Sequence, residues 1–229
     1  MAQLPWSVVT ARPVTFGKAR LAAEKCSQGI AQQIDNKPLK MRLTSMLQAF
    51  AEAMQECENS EELRNVTSHV PGMSMVKAKG VVQIHPSFLG NALKGVYTYL
   101  SNFLMQYNEE LGGIWLTCGK IRQQDECGYV TDGDCFGVLS LSVTLKMVVF
   151  YPFSRSVIGK VARVSAHRAS LLVYGIFGVT VRSVDEASEE HHELTEGSLV
   201  DVEVDDVKIL PKNKWVMLAT AVERVKLIT

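Results

Sequence analysis

The sequence lacks the features that mark membrane, secreted and zinc-binding proteins. No apolar run approaches the roughly 18 residues of a transmembrane helix, so we expect no contact with a membrane. The five cysteines, at positions 26, 57, 118, 127 and 135, are odd in number, and no two have CxxC spacing. We therefore expect reduced, structural thiols, no metal and no disulfide framework.

An excess of charge of one sign is also missing. Lys plus Arg number 24 and Asp plus Glu number 24, which gives a formal net charge of zero. This balance argues against a dedicated nucleic-acid binder, because such proteins are usually strongly basic. It leaves open a local basic patch, and basic residues do predominate in residues 1–50.

Catalytic signatures are absent as well. The chain has no HExxH, no GxSxG and no Walker loop, since Gly159-Lys160 follows no GxxxxG. Asp132-Gly133-Asp134 resembles part of a calcium loop but lacks its twelfth-position glutamate. His191-His192 lies in an acidic stretch that we interpret as a solvated loop. We predict a protein that is not an enzyme and binds no cofactor.

What the chain does contain is a globular composition in three blocks. With 229 residues and 47% hydrophobic residues, it can bury a core in one large or two small domains. Residues 1–70 read as an N-terminal extension with one amphipathic helix, at residues 39–54. Residues 71–152 and 153–229 read as two domains.

The pattern in residues 71–152 predicts a small α+β domain with the order strand, helix, strand, strand. The strands are expected at residues 76–84, 114–121 and 139–149, the last with clear alternation of apolar and polar residues. A helix follows His85-Pro86, with Ser87 as its cap and Gly112-Gly113 as its end. Its apolar face consists of Leu89, Leu93, Val96, Leu100, Phe103, Leu104 and Tyr107. Residues 123–135 read as a loop or hairpin turn.

The pattern in residues 153–229 predicts an all-β domain. Five short strands are expected, at residues 158–164, 171–174, 176–181, 199–210 and 215–222, with a bulge at Asp205-Asp206. A long connection separates the third strand from the fourth, which suits a Greek-key OB barrel. The overall fold class is therefore α+β, with an all-β barrel at the C-terminal end.

OB barrels commonly bind single strands through aromatic platforms and basic grooves. The candidates for RNA contact here are Lys160, Arg163, His167, Arg168, Tyr174 and Phe177. In the structural alternative, the two aromatic rings pack inside the barrel and the basic residues form a solvated face.

The order of elements and two motifs resemble a known family. Residues 100–116 read LSNFLMQYNEELGGIWL, a "LxxFLMxYxxxLGGxxL" pattern that follows Ile84-His85-Pro86. Residues 158–161 and 171–177 resemble the first strands of an S1-like OB barrel. Together these segments resemble the long stalk subunit of multisubunit RNA polymerases, the family of the archaeal E subunit, and most of all its RNA polymerase I member.

This resemblance implies a non-catalytic subunit in the nucleus and nucleolus, which helps to transcribe ribosomal RNA genes. Its first domain would be a tip domain that docks on the largest polymerase subunit and the small shared subunit beside it. The stalk would recruit the polymerase I initiation factor. Nascent RNA and a smaller stalk subunit are further partners that it leaves open. The tip residues proposed for docking are His85, Pro86, Leu104, Tyr107, Gly112 and Gly113.

Two other functions remain open from the sequence. The chain could be a free-standing S1-like RNA-binding protein, or the equivalent stalk subunit of another nuclear RNA polymerase. The proposed docking residues also have a structural alternative, in which Pro86 and the glycines shape the helix ends and Leu104 and Tyr107 fill the core.

Overall fold

The structure, a computed structural model, describes most of the chain. The described residues are 6–124, 129–131, 137–152, 156–165, 168–182, 195–204, 206–210, 214–219 and 225–228. His167, His191, His192 and Asp132-Gly133-Asp134 lie outside them.

The chain forms two compact units, each assembled from separate stretches of sequence. Unit 1 comprises Met1–Val14, Leu21–Gln48 and Ser74–Phe150, and unit 2 comprises Thr15–Arg20, Ala49–Met73 and Tyr151–Thr229. Residues 1–70, which the sequence suggested as a separate extension, are thus divided between the two units.

The N-terminal 70 residues hold three helices where the sequence predicted one. Helix α1 spans Phe16–Gln33, α2 spans Lys37–Asn59 and α3 spans Glu61–Val66. The predicted helix at residues 39–54 corresponds to α2, and α1 was missed. Its buried positions, with the residue after it, do repeat at three and four: Phe16, Ala19, Ala23, Cys26, Ile30 and Ile34. Three of these six side chains are Ala or Cys, so the apolar stripe is weak in hydrophobicity although regular in spacing.

The helix predicted in residues 71–152 is shorter than the sequence suggested. A 3-10 helix spans Pro86–Phe88, and α4 spans only Ala92–Ser101. Asn91 caps α4 by accepting a hydrogen bond from the Lys94 N–H at 3.1 Å, so the prediction that Ser87 is the cap was wrong. Gly112, with φ of 61°, lies in the turn before β4 and does not end a helix, which corrects the expected role of Gly112-Gly113.

Unit 1 contains a six-stranded sheet. Its strands are β1 (Ser7–Pro13), β2 (Met73–Ile84), β3 (Tyr107–Asn108), β4 (Gly113–Gln123), β5 (Tyr129–Thr131) and β6 (Val138–Phe150). The order is β1-β2-β6-β4-β3, and β5 pairs with β6. The three strands predicted from the sequence are β2, β4 and β6. Strand β1 pairs with β2 from Ser7 opposite Lys79 to Pro13 opposite Ser74, and it was not predicted.

The N-terminal residues are integral to the core of unit 1. The Trp6 ring meets the Trp115 ring edge-on, with centroids 5.3 Å apart. A Cβ on Gly80 would lie 2.5 Å from the Trp6 ring, so only glycine leaves room for it. On α1, the Cys26 Sγ lies 3.4 Å from the Cys118 Sγ of β4, and both thiols are free and buried. One edge and one face of the sheet are therefore covered by residues far away in sequence.

Unit 2 contains a seven-stranded sheet. Its strands are β7 (Val157–Ser165), β8 (Arg168–Val173), β9 (Phe177–Arg182), β10 (Leu199–Val202), β11 (Asp206–Leu210), β12 (Lys214–Ala219) and β13 (Val225–Leu227). The order is β11-β12-β9-β8-β7-β10-β13, with β12 and β9 parallel.

This order agrees with the predicted barrel. The expected strand at residues 199–210 is divided into β10 and β11, which follow one another along the chain close to the predicted bulge. Strand β10 pairs with β7, and strand β11 pairs with β12. The strand predicted at residues 199–210 therefore connects β7, which corresponds to the first predicted strand, with β12, which corresponds to the fifth. The predicted fold class, α+β with a β-rich C-terminal part, is confirmed. None of the helices in the described part of the chain has both the length and the apolar character needed to cross a membrane.

Candidate functional site

The first candidate surface lies where β2 leads into the 3-10 helix. His85 is exposed and its Nδ1 accepts a hydrogen bond from the Ser87 N–H at 3.2 Å. Pro86 begins the 3-10 helix, as its fixed φ and missing N–H allow. Of these two predicted docking residues, His85 is exposed and Pro86 is half-buried.

Two leucines beside them, which the sequence placed on the apolar face of one long helix, are exposed in the structure. Leu89 is 68% exposed and Leu93 is 48% exposed. Helix α4 packs closely on the preceding turn, because a Cβ on Gly95 would lie 2.8 Å from the Phe88 Cβ. Only the positions from Val96 onward then face inward, which leaves the first two leucines of the predicted stripe in solvent. We call Leu89 and Leu93 the leucine patch.

The other predicted docking residues are mostly internal. Leu104 is 1% exposed and Gly113 is buried at the start of β4, so neither belongs to an accessible surface. Tyr107, on the two-residue strand β3, is half-buried and pairs with Ile114. Gly112 supplies the left-handed backbone of the β3–β4 turn. For these four positions the structure agrees with the alternative in which they shape and fill the tip domain.

The aromatic platform expected on the barrel is not accessible. Tyr174 is 2% exposed and Phe177 is 3% exposed. The Tyr174 hydroxyl donates to the Pro71 carbonyl at 2.6 Å and accepts from the Ile158 N–H at 3.4 Å. Burial raises the pKa of the Tyr174 hydroxyl well above its ordinary value, so it stays protonated. Neither ring can stack on a base, and this part of the predicted RNA site is corrected.

Lys160 also has a partner within unit 2. Its Nζ lies 2.5 Å from the Glu56 Oε1 on α2, beside a cavity of about 240 Å³ that Cys57 and Tyr174 help to line. Burial, with Glu56 adding to it, raises the pKa of the Cys57 thiol to about 12. The thiol is thus neutral at physiological pH, which fits a structural cysteine.

Arg163 and Arg168 are the members of the predicted RNA site that remain exposed. Arg163 lies opposite Ser170 in the β7–β8 pairing, and Arg168 and Ser170 both point outward on β8. The two guanidinium groups therefore share one outer face of the barrel.

A second basic surface, which the sequence argument did not identify, lies on the sheet of unit 1. Lys77 on β2, Lys120 and Arg122 on β4 and Lys146 on β6 line a cavity of about 360 Å³, together with Gln124, Thr144 and Leu145. We call these four cations the basic sheet face. The net charge of the chain does not reveal this basic surface, because the four cations are distant in sequence and acidic residues elsewhere balance their charge.

The described residues contain no group of three or more His, Cys, Asp and Glu side chains placed to hold a metal ion. The surfaces described above differ in chemistry: the leucine patch is apolar, and the two basic faces carry positive charge.

Comparison with known proteins places part of this architecture in a family. Residues 79–135, from within β2 to beyond β5, match the family described as "SHS2 domain found in N terminus of Rpb7p/Rpc25p/MJ0397". The DNA-directed RNA polymerase I subunit RPA43 of Mus musculus is 26% identical over 116 residues, and that of Homo sapiens is 25% identical over 121 residues.

These similarities cover 50% and 52% of this chain and only 34% and 35% of the two relatives, so the chain matches about a third of their length. They confirm the resemblance found in the sequence, including its preference for the polymerase I member. Residues 79–135 are thus similar to the SHS2 domain of the Rpb7 family of RNA polymerase subunits, and the chain is similar to subunit RPA43 of RNA polymerase I.

Proposed function

We propose that the chain is a non-catalytic stalk subunit of RNA polymerase I and acts in the nucleolus. The observation that carries the proposal is the SHS2 domain shared with the Rpb7 family, together with the similarity to RPA43. In this role the chain docks on the polymerase core, near the largest subunit and the small shared subunit. It helps to recruit the initiation factor for ribosomal RNA genes.

The leucine patch is the surface best suited to docking. Leu89 and Leu93 are exposed apolar side chains within the part of the chain that matches the family, and they adjoin His85 and Pro86. Exposed apolar groups that cluster on a folded domain commonly mark protein interfaces. His85 and Pro86 therefore remain in the proposed docking surface, which now includes the two leucines.

A smaller stalk subunit would meet a sheet whose β2 edge is already paired. Strand β1 of the same chain occupies that edge, so among the described strands a partner that adds a strand would pair with an edge strand such as β1 or β3. Contact with exiting RNA, if made by the barrel, rests on Arg163 and Arg168.

The proposal is tested by affinity purification of the tagged full-length chain from cells of its source, followed by mass spectrometry. We expect the two large polymerase I subunits in stoichiometric amounts at moderate salt. Recovery of the large subunits of another nuclear polymerase, or of RNA-processing factors alone, would overturn the polymerase I assignment.

A variant pair tests the docking surface separately. The variant L89D/L93D places charge in the leucine patch, and we expect it to lose most of the co-purifying polymerase. The matched control L21D/M41D changes two leucine-sized side chains that are 45% and 61% exposed on α1 and α2. If the control loses as much polymerase as the patch variant, the patch is not the docking surface.

A further inference from the structure

The cations of the basic sheet face are gathered around one cavity on the sheet of unit 1. They lie on three adjacent strands, with Lys77 on β2, Lys146 on β6 and the pair Lys120 and Arg122 on β4. Adjacent strands are about 4.8 Å apart, so the backbones that carry the four side chains lie within roughly 10 Å across the sheet. The cavity that these side chains line has a volume of about 360 Å³.

A bulge in β4 turns two of these cations to the outside. The pairing of β4 with β6 shifts register between Cys118 and Ile121, so Gly119 and Lys120 together lie opposite Lys146. Strict alternation would put Lys120 on the same side as Cys118, which is 1% exposed, whereas Lys120 is exposed. The extra residue therefore moves Lys120, and the residues after it, to the outer face.

A buried hydroxyl lies in the wall of the same cavity. Thr144 is on β6, the middle one of the three strands, and it lies opposite Arg122 in the pairing with β4. Because alternate residues of a strand face the same side of the sheet, its side chain shares the face of Lys146. It lines the cavity although it is only 5% exposed.

This hydroxyl is an independent sign of a ligand. The Thr144 Oγ1 is one of two buried side-chain polar atoms that have no hydrogen-bond partner among the described residues. Almost all buried polar groups have such a partner, and a group that lacks one is costly to the folded state. An acceptor oxygen of a ligand in the cavity would supply the missing partner.

The charge of the cavity indicates that this ligand is an anion. None of the residues that line the cavity is acidic, and the ion pairs among the described residues involve other cations, namely Arg20, Lys94 and Lys160. Four cations held close together without an anion repel one another. A bound anion would relieve that repulsion and accept the Thr144 hydrogen bond at the same time.

We propose that the basic sheet face binds a small, soluble ligand that carries two or more adjacent phosphate groups and no base, as inorganic and inositol polyphosphates do. Arg122 and Lys146 bind the oxygens of one phosphate group, which also accepts the hydrogen bond of the Thr144 hydroxyl. Lys77 and Lys120 neutralise the second phosphate group. The inference goes beyond the proposed function, because neither docking on a polymerase nor recruitment of a factor requires such a ligand.

The size and the lining of the cavity favour this class of ligand. A phosphate monoester carries a charge of about −1.5 to −2 at neutral pH, so two such groups balance four cations. A volume of about 360 Å³ is within the range of roughly 300–1,000 Å³ that is typical of small-molecule sites. The lining has no aromatic ring on which a base could stack, and Leu145 is its only large apolar residue. The apolar centre of a protein interface is therefore missing as well.

The experiment is a calorimetric titration of the purified full-length chain with inorganic pyrophosphate and, separately, with inositol hexakisphosphate. Sulfate at the same ionic strength is the control, because it is a single oxyanion group and cannot reach all four cations. We expect one bound ligand per chain and an affinity at least tenfold higher than that for sulfate. The probe that binds more tightly identifies the source of the phosphate groups. If neither probe binds more tightly than sulfate, the proposal is overturned.

Competition tests two other classes of ligand. A single-stranded oligonucleotide presents separate phosphodiester groups with one charge each, and a polyglutamate peptide presents carboxylates. Neither brings two adjacent phosphate groups to the Thr144 hydroxyl. We therefore expect that neither displaces the bound probe at an equal concentration of charged groups. Full displacement by either competitor would contradict the proposal.

Two variants of equal charge test where the probe binds. K77Q/R122Q/K146Q removes three cations from the basic sheet face, and we expect its affinity for the better probe to fall at least tenfold. The matched variant K18Q/K25Q/K37Q removes three exposed lysines from α1 and α2 and should bind as the wild type does. Equal losses in the two variants would show that binding depends only on the total charge of the chain, and the proposed site would be wrong.

The hydroxyl gives a readout that misfolding cannot imitate. T144V removes a buried hydroxyl without a partner, so without ligand its melting temperature should be equal to or higher than that of the wild type. Its affinity for the probe should nevertheless fall about tenfold, and the probe should raise its melting temperature less. T144S keeps the hydroxyl and should retain most of the affinity. A T144V protein that binds the probe as tightly as the wild type would contradict the proposed site.

Discussion

At the scale of the residue, the turn between β8 and β9 shows how local geometry selects side chains. The Ile176 N–H donates to the Val173 carbonyl at 3.2 Å, and the two residues between them, Tyr174 and Gly175, have φ of 51° and 75°. Two consecutive left-handed residues are typical of a type I′ hairpin turn, which matches the twist of the strands it joins. Tyr174 tolerates this conformation because its ring is buried and its hydroxyl is hydrogen-bonded at both Pro71 and Ile158.

Gly175 is constrained by space as well as by backbone conformation. A Cβ there would lie 2.6 Å from the Ala49 carbonyl oxygen and 3.0 Å from the Ala53 Cβ on α2. We therefore predict that G175A lowers the free energy of unfolding by roughly 2–3 kcal/mol, since left-handed backbone alone costs about 1–2 kcal/mol. Urea unfolding of the purified protein, followed by circular dichroism, measures the change.

Gly178 is the matched control for this prediction. It lies in the same hairpin, has no positive φ, and a Cβ there would meet nothing within 4 Å. G178A should therefore be neutral or stabilising by about 0.5 kcal/mol. Equal losses in the two variants would show that Gly175 has no special role.

At the scale of the element, β1 is a strand whose position depends on one buried residue next to it, Trp6. Every residue of β1 is exposed, yet Trp6 just before it is 5% exposed and packs on Trp115. The Trp6 N–H also donates to the Glu110 Oε2 at 2.7 Å. The alternation that usually reveals a strand is therefore missing from the sequence of β1, which explains why it was not predicted.

We predict that W6A destabilises unit 1 by about 3–5 kcal/mol, the usual cost of removing a buried aromatic side chain. Hydrogen exchange monitored by mass spectrometry should show faster exchange in β1 and β2. V9A, on the same strand, removes a side chain that is 44% exposed and should cost no more than about 0.5 kcal/mol. A W6A protein as stable as V9A would mean that Trp6 does not anchor the strand.

Helix α4 is the opposite case, because the sequence correctly predicted a helix but predicted it to be too long. The apolar spacing from Leu89 to Tyr107 runs from the turn after the 3-10 helix, through α4 and the turn that follows it, to the strand β3. Only the tertiary packing of Gly95 on Phe88 shows that Leu89 and Leu93 remain in solvent. The exposure of the leucine patch was therefore hidden inside a pattern that looked like one continuous helix face.

At the scale of the whole molecule, the units do not follow the order of the sequence. Unit 1 needs β1 at the edge of its sheet and α1 on its face, as the contact of Cys26 with Cys118 shows. The stretch that matches the SHS2 family, residues 79–135, includes neither of these elements.

We therefore predict that a fragment of residues 71–152, the tip domain as the sequence delimits it, does not fold alone. Without β1 and α1 its sheet exposes Trp115 and Cys118, which are buried in the full chain. The fragment should aggregate or show poorly dispersed amide resonances in NMR spectra. Addition of a peptide of residues 1–48 should restore dispersion, whereas a scrambled peptide should not. A fragment that unfolds cooperatively by itself would contradict this prediction.

The sequence by itself determined the properties that depend on local pattern. Strand patterns in the sequence located β2, β4, β6 and the strands from β7 to β12, and the motif at residues 100–116 pointed to the family. Tertiary structure alone decided which side chains face solvent. It buried Tyr174, Phe177 and Leu104, exposed Leu89 and Leu93, and gathered Lys77, Arg122 and Lys146 on one face. The physical reason is that these outcomes depend on contacts between residues far apart in the chain, which no local periodicity records.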